Sequence, residues 1–459
     1  MIFANNNLYP SLRKFKLVLN NYQHFIKAVA MKRLIVGVLL ISLGLLLKSC
    51  NSVEPPAGLT INLKLEDVSC TEAWIELTTT NLQIPTTVTL KRDNAVTHTI
   101  SLSSTDTLLY IDSLLPNQTY TFQSFIQSIN QSEIKSNVIT VQTLDTTSHN
   151  FTFETFTFGT IGSSTLYDVA IINENNIWAV GEMLIADTSI NGYTTYNAVH
   201  WDGSQWEMER IKTNACGGVD YPPIEAILAF SSDDILFAHI DGSISHYNGI
   251  EFTNDCSLIT QLNGSANKMW GRSKTDFYVV SGNGFIAHYL NGTWNKINSG
   301  TNTNINDVWG VVDKDGIEII YCAVSFVFQT GDQKILTIKN NKVDSLSWNT
   351  GRRVYSIWTN SDNYLYTAGG GIFENKRGYW NEITEVPLYY SRNIRGTGIN
   401  NIFVCGDFGL FAHFNGERWK TFNELYMQGI FYSVAVNGNT VITVGLEGSK
   451  AIIVKGLRN

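Results

Sequence analysis

From about residue 151 onward the chain repeats itself, with a period of roughly 40 residues. The clearest copy runs from Met269-Trp270-Gly271 through Gly284-Phe285-Ile286-Ala287-His288 to Asn291-Gly292-Thr293-Trp294, and a second clear copy spans residues 394–419. Repetition at this period is typical of folds built from one small unit used many times. It restricts what this 459-residue chain can fold into more than any other feature of the sequence.

Each copy reads as four β-strands. An apolar entry strand comes first, an aromatic and Val-rich strand second, and a third strand ends at an Asn-Gly or Asp-Gly hairpin signal before the fourth. Four antiparallel strands per repeat is the pattern of a β-propeller blade. Seven such copies begin at Tyr167, Ile227, Met269, Val308, Ile357, Ile394 and Tyr432. We therefore predict a seven-bladed propeller over residues 151–459, with six or eight blades compatible if residues 301–350 are divided differently.

The last copy lacks a fourth strand, because it ends after Ile452-Ile453-Val454. In residues 151–158, before the first copy, phenylalanines alternate with the polar residues Thr and Glu, as is typical of a β-strand. We expect this N-terminal segment to supply the missing outer strand of the last blade. That pairing would close the ring and remove the exposed strand edges of an open array.

The composition agrees with an all-β chain. Charged residues make up 16% and aromatic residues 12%, with 36 glycines, a profile that excludes disorder and helical arrays as the main state. Residues 1–50 carry seven Lys or Arg and no Asp or Glu, which leaves 25 basic against 40 acidic residues in the rest. This excess of acidic residues after residue 50 argues against nucleic-acid binding, because such binding depends on neutralising phosphates.

The basic leader contains Met31-Lys32-Arg33, an apolar stretch over residues 34–47, and then Lys48-Ser49-Cys50. The stretch has the length of a secretory signal rather than of a membrane span. The segment resembles the signal of bacterial (Bacteroidetes-like) lipoproteins. That resemblance implies a start at Met31, a leader over residues 1–50, a lipid on Cys50 and a place in the cell envelope at the outer membrane. An uncleaved membrane anchor is the alternative, and residues 51–57 read as a tether.

Residues 58–145 predict a small β domain, since Ala73, Ile75 and Leu77 alternate with polar residues. Leu114, Pro116 and Tyr120 then match the Leu-x-Pro-x-x-x-Tyr pattern, so the segment resembles a fibronectin type III domain. The resemblance implies a β-sandwich in which the Tyr hydrogen-bonds back to the chain before it. The position of that family's core Trp is taken by Leu77, and we expect Trp74 on the opposite face. A generic immunoglobulin-like sandwich is the alternative.

The cysteines show no Cys-x-x-Cys pair, so neither a zinc site nor thioredoxin-like chemistry is expected. Cys216 and Cys256 lie one repeat apart in polar segments, and we consider a disulfide between them possible in an oxidising compartment. Cys322 and Cys405 lie in apolar strands and read as core residues.

Four histidines occupy one equivalent position in four different repeats: His200, His246, His288 and His413. A metal site would need them to converge on the ring axis. A position that recurs in every repeat serves each repeat alike, so we favour structural imidazoles that hydrogen-bond within their own blade. We expect no metal and no cofactor.

Four arginines are candidate ligand contacts at the mouth of the propeller channel. Arg272 and Arg395 follow first strands and Arg352 and Arg353 precede one, while a further arginine, Arg392, lies just before another first strand. An arginine cluster there could hold a carboxylate or an anionic sugar, although surface or inter-blade ion pairs are the alternative. The blades resemble those of lipoprotein propellers with a Trp-Gly, Gly-x-φ-x-His, Asn-Gly-x-x-Trp pattern, where φ is apolar.

No catalytic motif occurs in the sequence: it has no Gly-x-Ser-x-Gly, no P-loop and no His-Glu-x-x-His. We therefore expect a non-catalytic envelope lipoprotein whose propeller binds a protein or a glycan or acts as a scaffold, and a purely structural envelope component is a further alternative. The alternative is a carbohydrate-active enzyme with its site at the channel mouth, because the fold, not the spacing in sequence, decides whether two carboxylates meet.

Overall fold

The computed structural model describes residues 58–127, 133–213, 216–262, 264–327, 331–376 and 378–459. The segment that resembles a lipoprotein signal, Cys50 and residues 51–57, which we predict to be a tether, lie outside the described residues. Within these ranges the chain is almost entirely β, with one short α-helix, α1 (Ile259–Leu262), and one 3-10 helix (Asn423–Leu425). None of the helices in the described residues is long and apolar enough to cross a membrane. Residues 61–78 and 84–459 form one compact unit, while residues 58–60 and 79–83 are the described part of another.

Residues 60–142 form two antiparallel sheets. One has the strand order β1-β2-β5, and the other has the order β4-β3-β6-β7, with β8 also paired to β6. The strands are β1 (Thr60–Val68), β2 (Ala73–Thr80), β3 (Thr86–Arg92), β4 (Ala95–Leu102), β5 (Asp106–Ile111), β6 (Thr119–Gln127), β7 (Glu133–Lys135) and β8 (Ile139–Gln142). The hydroxyl of Tyr120 accepts a hydrogen bond of 2.9 Å from the backbone N–H of Leu115, five residues earlier.

Leu77 and Trp74 are both buried, in different surroundings. Leu77 is a core residue of β2, as its alternation with polar residues predicts. Trp74 is only 1% exposed because later repeats cover its face of the sheet: it packs against Tyr364 and Tyr110, and it belongs to the same apolar cluster as Trp358. Its burial therefore depends on a contact that no local pattern in residues 58–145 could indicate.

Seven four-stranded antiparallel sheets, named blades 1 to 7 below, follow in the described residues. Blades 1 to 3 are β10 (Thr165–Asn173), β11 (Asn176–Ala186), β12 (Tyr193–Trp201), β13 (Trp206–Glu209); β14 (Ile224–Ser231), β15 (Asp234–His239), β16 (Ile244–Tyr247), β17 (Phe252–Asp255); and β18 (Ala266–Ser273), β19 (Asp276–Ser281), β20 (Phe285–Leu290), β21 (Thr293–Asn298). Blades 4 and 5 are β22 (Ile305–Val312), β23 (Glu318–Val324), β24 (Lys334–Lys339), β25 (Lys342–Leu346); and β26 (Val354–Trp358), β27 (Leu365–Gly369), β28 (Gly371–Asn375), β29 (Trp380–Glu382). Blades 6 and 7 are β30 (Ser391–Gly398), β31 (Asn401–Gly406), β32 (Phe411–Phe414), β33 (Trp419–Thr421); and β34 (Gly429–Asn437), β35 (Thr440–Glu447), β36 (Lys450–Arg458), β9 (Phe151–Phe158).

The first strands of the seven blades surround a central channel. Each contacts the first strand of the next blade, and β34 of blade 7 contacts β10 of blade 1, so the sheets form a closed ring. Blades 1 to 6 are antiparallel in chain order, and blade 7 has β9 as its outer strand, which together is the arrangement of a β-propeller. All first strands consequently run in the same direction along the channel, and they begin at one end, here named the mouth.

The closing strand β9 pairs with β36 in antiparallel register, with Phe158 opposite Ala451 and Phe151 opposite Arg458. The predicted N-terminal closure of the last blade is therefore observed. The pairing is reinforced by aromatic contacts, since the ring of Phe153 lies 4.9 Å from that of Phe422. The strand order joins the two ends of the propeller segment in one sheet and leaves β36 with a partner on both sides.

Neighbouring blades are also joined by bonds between their outer parts. The indole N–H of Trp294, the closing Trp of blade 3, donates a 2.9 Å hydrogen bond to Asp255 of blade 2. A disulfide joins Cys216, which precedes blade 2, to Cys256, which follows it, with a Cα–Cα distance of 5.3 Å. Cys322 and Cys405 are buried core residues with free thiols.

Candidate functional site

The first strands carry the same irregularity in all seven blades. Each contains a β-bulge near its start, where two residues of the first strand stand opposite one residue of the second. The extra residue lies two positions before the first apolar residue of the repeat template. These seven bulged residues, named the mouth ring, are Tyr167, Glu225, Asn267, Asn306, Tyr355, Arg392 and Tyr432.

All seven residues of the mouth ring line one cavity of about 290 Å³ at the mouth of the channel. A bulge turns a side chain that would otherwise follow the alternation of its strand, and bulges are frequent beside functional sites for this reason. Here the same turn is made once per blade. The result is a pocket to which every blade contributes one polar or aromatic side chain, which makes it the candidate functional site.

The residues that follow the mouth ring close the channel beneath this cavity. The guanidinium of Arg395 forms a two-pronged ion pair with Asp307, with distances of 2.7 Å from Nη2 to Oδ1 and 2.9 Å from Nη1 to Oδ2. Lys268 forms a second ion pair with Asp168 at 2.5 Å, and the Ser433 hydroxyl donates to the same carboxylate at 2.7 Å. These five residues, with Ser356, are named the plug.

The plug joins blades that are not neighbours, because Asp307 belongs to blade 4 and Arg395 to blade 6, while Asp168 belongs to blade 1 and Lys268 to blade 3. Burial by itself would raise the pKa of Asp307. The charges of Arg395 and Lys268 and the hydrogen bonds to the carboxylate outweigh it, so that the pKa is lowered and the carboxylate is ionised. The plug separates the mouth cavity from a second cavity at the opposite end.

The second cavity, of about 320 Å³, is lined by the later halves of the first strands. Its walls include Phe230, Trp270 and Trp309, and the guanidinium of Arg395 lies 4.8 Å from the Trp309 ring. Because its cationic groups are already bound within the plug, this end of the channel presents aromatic packing rather than free charge.

Arg392 occupies the aromatic part of the mouth ring. Its guanidinium lies 5.6 Å from the ring centre of Tyr355 and 5.8 Å from that of Tyr432, and its Nε donates to Asp407 at 2.7 Å. The rings of Tyr167 and Tyr432 are 5.9 Å apart. Three phenol rings and a neutralised arginine thus form a continuous arc over blades 5, 6, 7 and 1.

Glu225 is the acidic member of the mouth ring. It is partly buried, and within the described part of the chain its carboxylate has no hydrogen-bond or ion-pair partner. Burial, with a contribution from the charge of Glu182, raises the pKa of Glu225 to about 7. Burial also raises the pKa of Glu182. Glu225 can therefore accept or release a proton near neutral pH.

The structure does not bring the four predicted arginines together. Arg395 is held in the plug, Arg272 is exposed near the far end of β18, and Arg352 is exposed with Glu382 at 3.6 Å. Arg353 precedes β26, where its carbonyl accepts a hydrogen bond from Gly370 at 2.9 Å. Arg272 and Arg353 are separated because first strands begin and end at opposite ends of the channel.

Sequence reasoning missed the mouth ring, although a signal for it exists. Five members lie two positions before the residue at which their repeat opens, whereas Tyr167 and Tyr432 are themselves the opening residues. An internal alignment that shifts these two repeats to open at Val169 and Val434 places all seven members at one offset. The alternation of a regular strand does not predict that this position faces the channel. Only the bulge turns it there.

The four equivalent histidines are structural, as the sequence favours. In each blade the imidazole Nε2 bonds to the Asn or Asp that opens the second strand of the same blade. The pairs are His200–Asn176 at 3.0 Å, His246–Asp234 at 2.8 Å, His288–Asp276 at 2.7 Å and His413–Asn401 at 3.1 Å. The described residues contain no group of three or more His, Cys, Asp or Glu side chains placed to hold a metal ion.

No protein-family model and no curated protein matches the chain. Among solved structures it is similar to the WD40 β-propeller domain of Doa1, with 14% identity and a TM-score of 0.47 over 67% of this chain and 97% of that one. It is also similar to the GH74 xyloglucanase of Xanthomonas campestris, with 12% identity and a TM-score of 0.43 over 65% of this chain and 53% of that one. At these identities the likeness concerns the fold alone.

Proposed function

We propose that this protein is a non-catalytic lipoprotein of the bacterial cell envelope, whose propeller binds a protein or glycan partner at the mouth ring. A lipid on Cys50 would hold it at the outer membrane, and residues 58–145 would act as a fibronectin type III-like spacer. The observation that carries the proposal is the seven-fold bulge, which directs one side chain per blade into a single cavity. The plug beneath makes that cavity a pocket with a floor rather than a pore.

The surroundings of the mouth also support a binding role. The loops around blade 6 expose four large apolar side chains: Leu388, Tyr389, Phe408 and Tyr426. Phe408 is 49% exposed and has a positive φ of 61°, which is unusual for an aromatic residue. Its backbone N–H donates to the Gly429 carbonyl at 2.8 Å, which holds it in that conformation. Exposed aromatic residues on an ordered loop are typical of recognition surfaces.

The test is retention of partners by the full-length protein on a glycan array and in pull-downs from envelope extracts. Tyr432→Ala and Asn306→Ala, both in the mouth ring, should lose the retained ligands. Tyr379→Ala is the matched control, because Tyr379 is 74% exposed and lies outside the mouth ring. If the mouth-ring variants bind every retained ligand as tightly as the control does, the assignment of the site is wrong.

The envelope part of the proposal has a test of its own. Cys50→Ala should release the protein from the membrane fraction into the soluble fraction, since a lipid on this cysteine is the proposed anchor. Retention of the variant in the membrane fraction would instead support the uncleaved anchor.

One observation favours the second candidate function, a carbohydrate-active enzyme. Glu225 and Glu182 are neighbouring carboxyl groups with raised pKa values at the mouth, and glycoside hydrolysis uses a pair of carboxyl groups of which one stays protonated near neutral pH. Purified protein should then release reducing ends from a polysaccharide, and Glu225→Gln should abolish the release. Such a result would replace the binding role by a catalytic one.

A further inference from the structure

Among the charged side chains of the described residues that line the mouth cavity, all but Glu225 are paired. Lys268 pairs with Asp168, and Asp307 with Arg395, within the plug. Arg392 pairs with Asp407 at 2.7 Å. Glu225 remains without a partner in the described part of the chain. A partly buried carboxylate without a counter-charge loses hydration and gains nothing in return, so a cation that reaches it is favoured.

The two neighbours of Glu225 in the mouth ring add hydrogen-bond acceptors. The amide nitrogen of Asn267 donates to the Ile305 carbonyl at 2.8 Å, and that of Asn306 donates to the Ser325 carbonyl at 2.9 Å. Their amide oxygens accept no hydrogen bond from the described residues. Glu225, Asn267 and Asn306, named the acceptor arc, therefore present acceptors from three adjacent blades, opposite the arc of tyrosines.

We propose that the ligand of the mouth ring is a glycan that carries a free amino sugar, with its ammonium group at Glu225 and its hydroxyl groups donating to Asn267 and Asn306. The inference rests on the proposed function, because it names the ligand class of that same site. The apolar face of the sugar ring packs on the tyrosine arc. The acceptor arc needs hydrogen-bond donors at three separate places. An amino sugar has them on its amine and its hydroxyl groups, whereas the three N–H donors of a lysine side chain are all on one nitrogen.

Proton binding at Glu225 competes with this ligand. The titratable groups that face it are Glu182 of β11, Tyr167 of β10 and Tyr432 of β34, with Lys268 at the floor of the cavity. Burial and Glu182 raise the pKa of Glu225 to about 7, so the carboxylate becomes neutral in mildly acidic solution and loses its attraction for an ammonium group. The amine of an amino sugar also loses its proton near neutral pH. Affinity should therefore be greatest at about pH 7, and it should fall towards about pH 5.5, where the carboxylate is neutral, and towards about pH 8.5, where the amine is neutral.

The experiment is calorimetric titration of the full-length protein at about pH 7, where the carboxylate and the sugar amine are both partly charged. The ligands are chitosan oligomers, which carry free amines, and chitin oligomers, which are N-acetylated. Chitosan should bind, and chitin should bind at least about tenfold more weakly, as expected when a charge-assisted hydrogen bond is lost. Glu225→Gln keeps the shape of the side chain and should reduce the affinity for chitosan by about tenfold or more. Glu251→Gln, at an exposed glutamate outside the ring, is the matched control and should bind as the unaltered protein does.

Three results would overturn the inference. The first is equal binding of both oligomers, and the second is no binding of chitosan. The third is an unchanged affinity for chitosan in a Glu225→Gln variant whose melting temperature equals that of the unaltered protein. Tighter binding of lysine-rich peptides than of chitosan would overturn the choice of a glycan. If the inference fails while Tyr432→Ala still loses ligands found on the array, the proposed function stands. If the mouth-ring variants lose nothing, both fail.

Discussion

The indole of Trp270 in blade 3 lies directly on Gly310 in blade 4. A β-carbon at Gly310 would be 2.3 Å from Cη2 of that indole, and Trp358 of blade 5 covers Gly396 of blade 6 in the same way, at 2.8 Å from Cζ2. The Trp and the Gly of the repeated Trp-Gly pattern thus serve different contacts. The Trp of one repeat packs on the Gly of the next, and the glycine is required because it lacks a side chain.

Gly310→Ala should therefore lower the free energy of unfolding by about 1–3 kcal/mol, as overpacking in a core does. Gly218→Ala is the matched control, since a β-carbon there would meet its nearest neighbour, the Asp241 carboxylate, at an ordinary 3.4 Å. The measurement is equilibrium denaturation in urea. Equal stability of the two variants would show that the contact between Trp270 and Gly310 does not limit the side chain at residue 310.

Removing the charge of Arg395 should be costly. Arg395→Met leaves Asp307 ionised and buried without its partner, which should lower the free energy of unfolding by about 3–5 kcal/mol. The double variant with Asp307→Leu should recover much of that loss, because no uncompensated charge remains. Arg272→Met, at an exposed position, should change stability by less than about 0.5 kcal/mol. If Arg395→Met lowers the free energy of unfolding no more than Arg272→Met does, the role assigned to the plug is wrong.

The disulfide between Cys216 and Cys256 encloses blade 2, with 40 residues of sequence separation. Its removal in Cys216→Ser/Cys256→Ser should lower stability by about 2–4 kcal/mol, because the unfolded chain gains the freedom of an open loop. The readout is the denaturation midpoint of the variant beside that of the parent protein with and without a reducing agent. A reductant should lower the midpoint of the parent and leave that of the variant unchanged, and an effect on both alike would argue against the bond.

Stability should fall as the pH is lowered from about 7 to 4. Burial lowers the pKa of His149 and His239 to about 4 and, together with the neighbouring His149, that of His413 to about 2. Free imidazole has a pKa of about 6.5, so between these values the unfolded chain binds more protons than the folded one. The buried His239 and His413 then each add up to about 1.4 kcal/mol per pH unit to the slope of the unfolding free energy, and the half-buried His149 adds less because solvent screens its charge.

The pair formed by His149 and His413, with Nδ1 atoms 2.9 Å apart, provides the specific check of this pH dependence. His149→Gln removes one of the groups responsible and should flatten the slope between about pH 6 and 4. A variant whose slope equals that of the parent protein would assign the acid sensitivity to carboxyl groups instead.

Local patterns in the sequence were sufficient for the architecture. The roughly 40-residue period, the Asn-Gly hairpins and the alternation in residues 151–158 predict four-stranded blades closed by an N-terminal strand. The structural role of the four histidines was predictable too, because each of them bonds within its own repeat, for example His288 with Asp276. These features depend on residues that are near one another in the chain, so a repeating sequence displays them directly.

The tertiary structure alone decided the candidate site. A single bulged residue changes the face of the strand on which a side chain lies. The alternation of apolar and polar residues around Tyr432 and Glu225 does not predict these bulges. The ion pair between Arg395 and Asp307 spans 88 residues and two blades, so it exists only once the ring has closed. The sequence by itself determined how each blade is built, whereas the closed ring determined which seven side chains meet, because their convergence depends on the position of every blade around the axis.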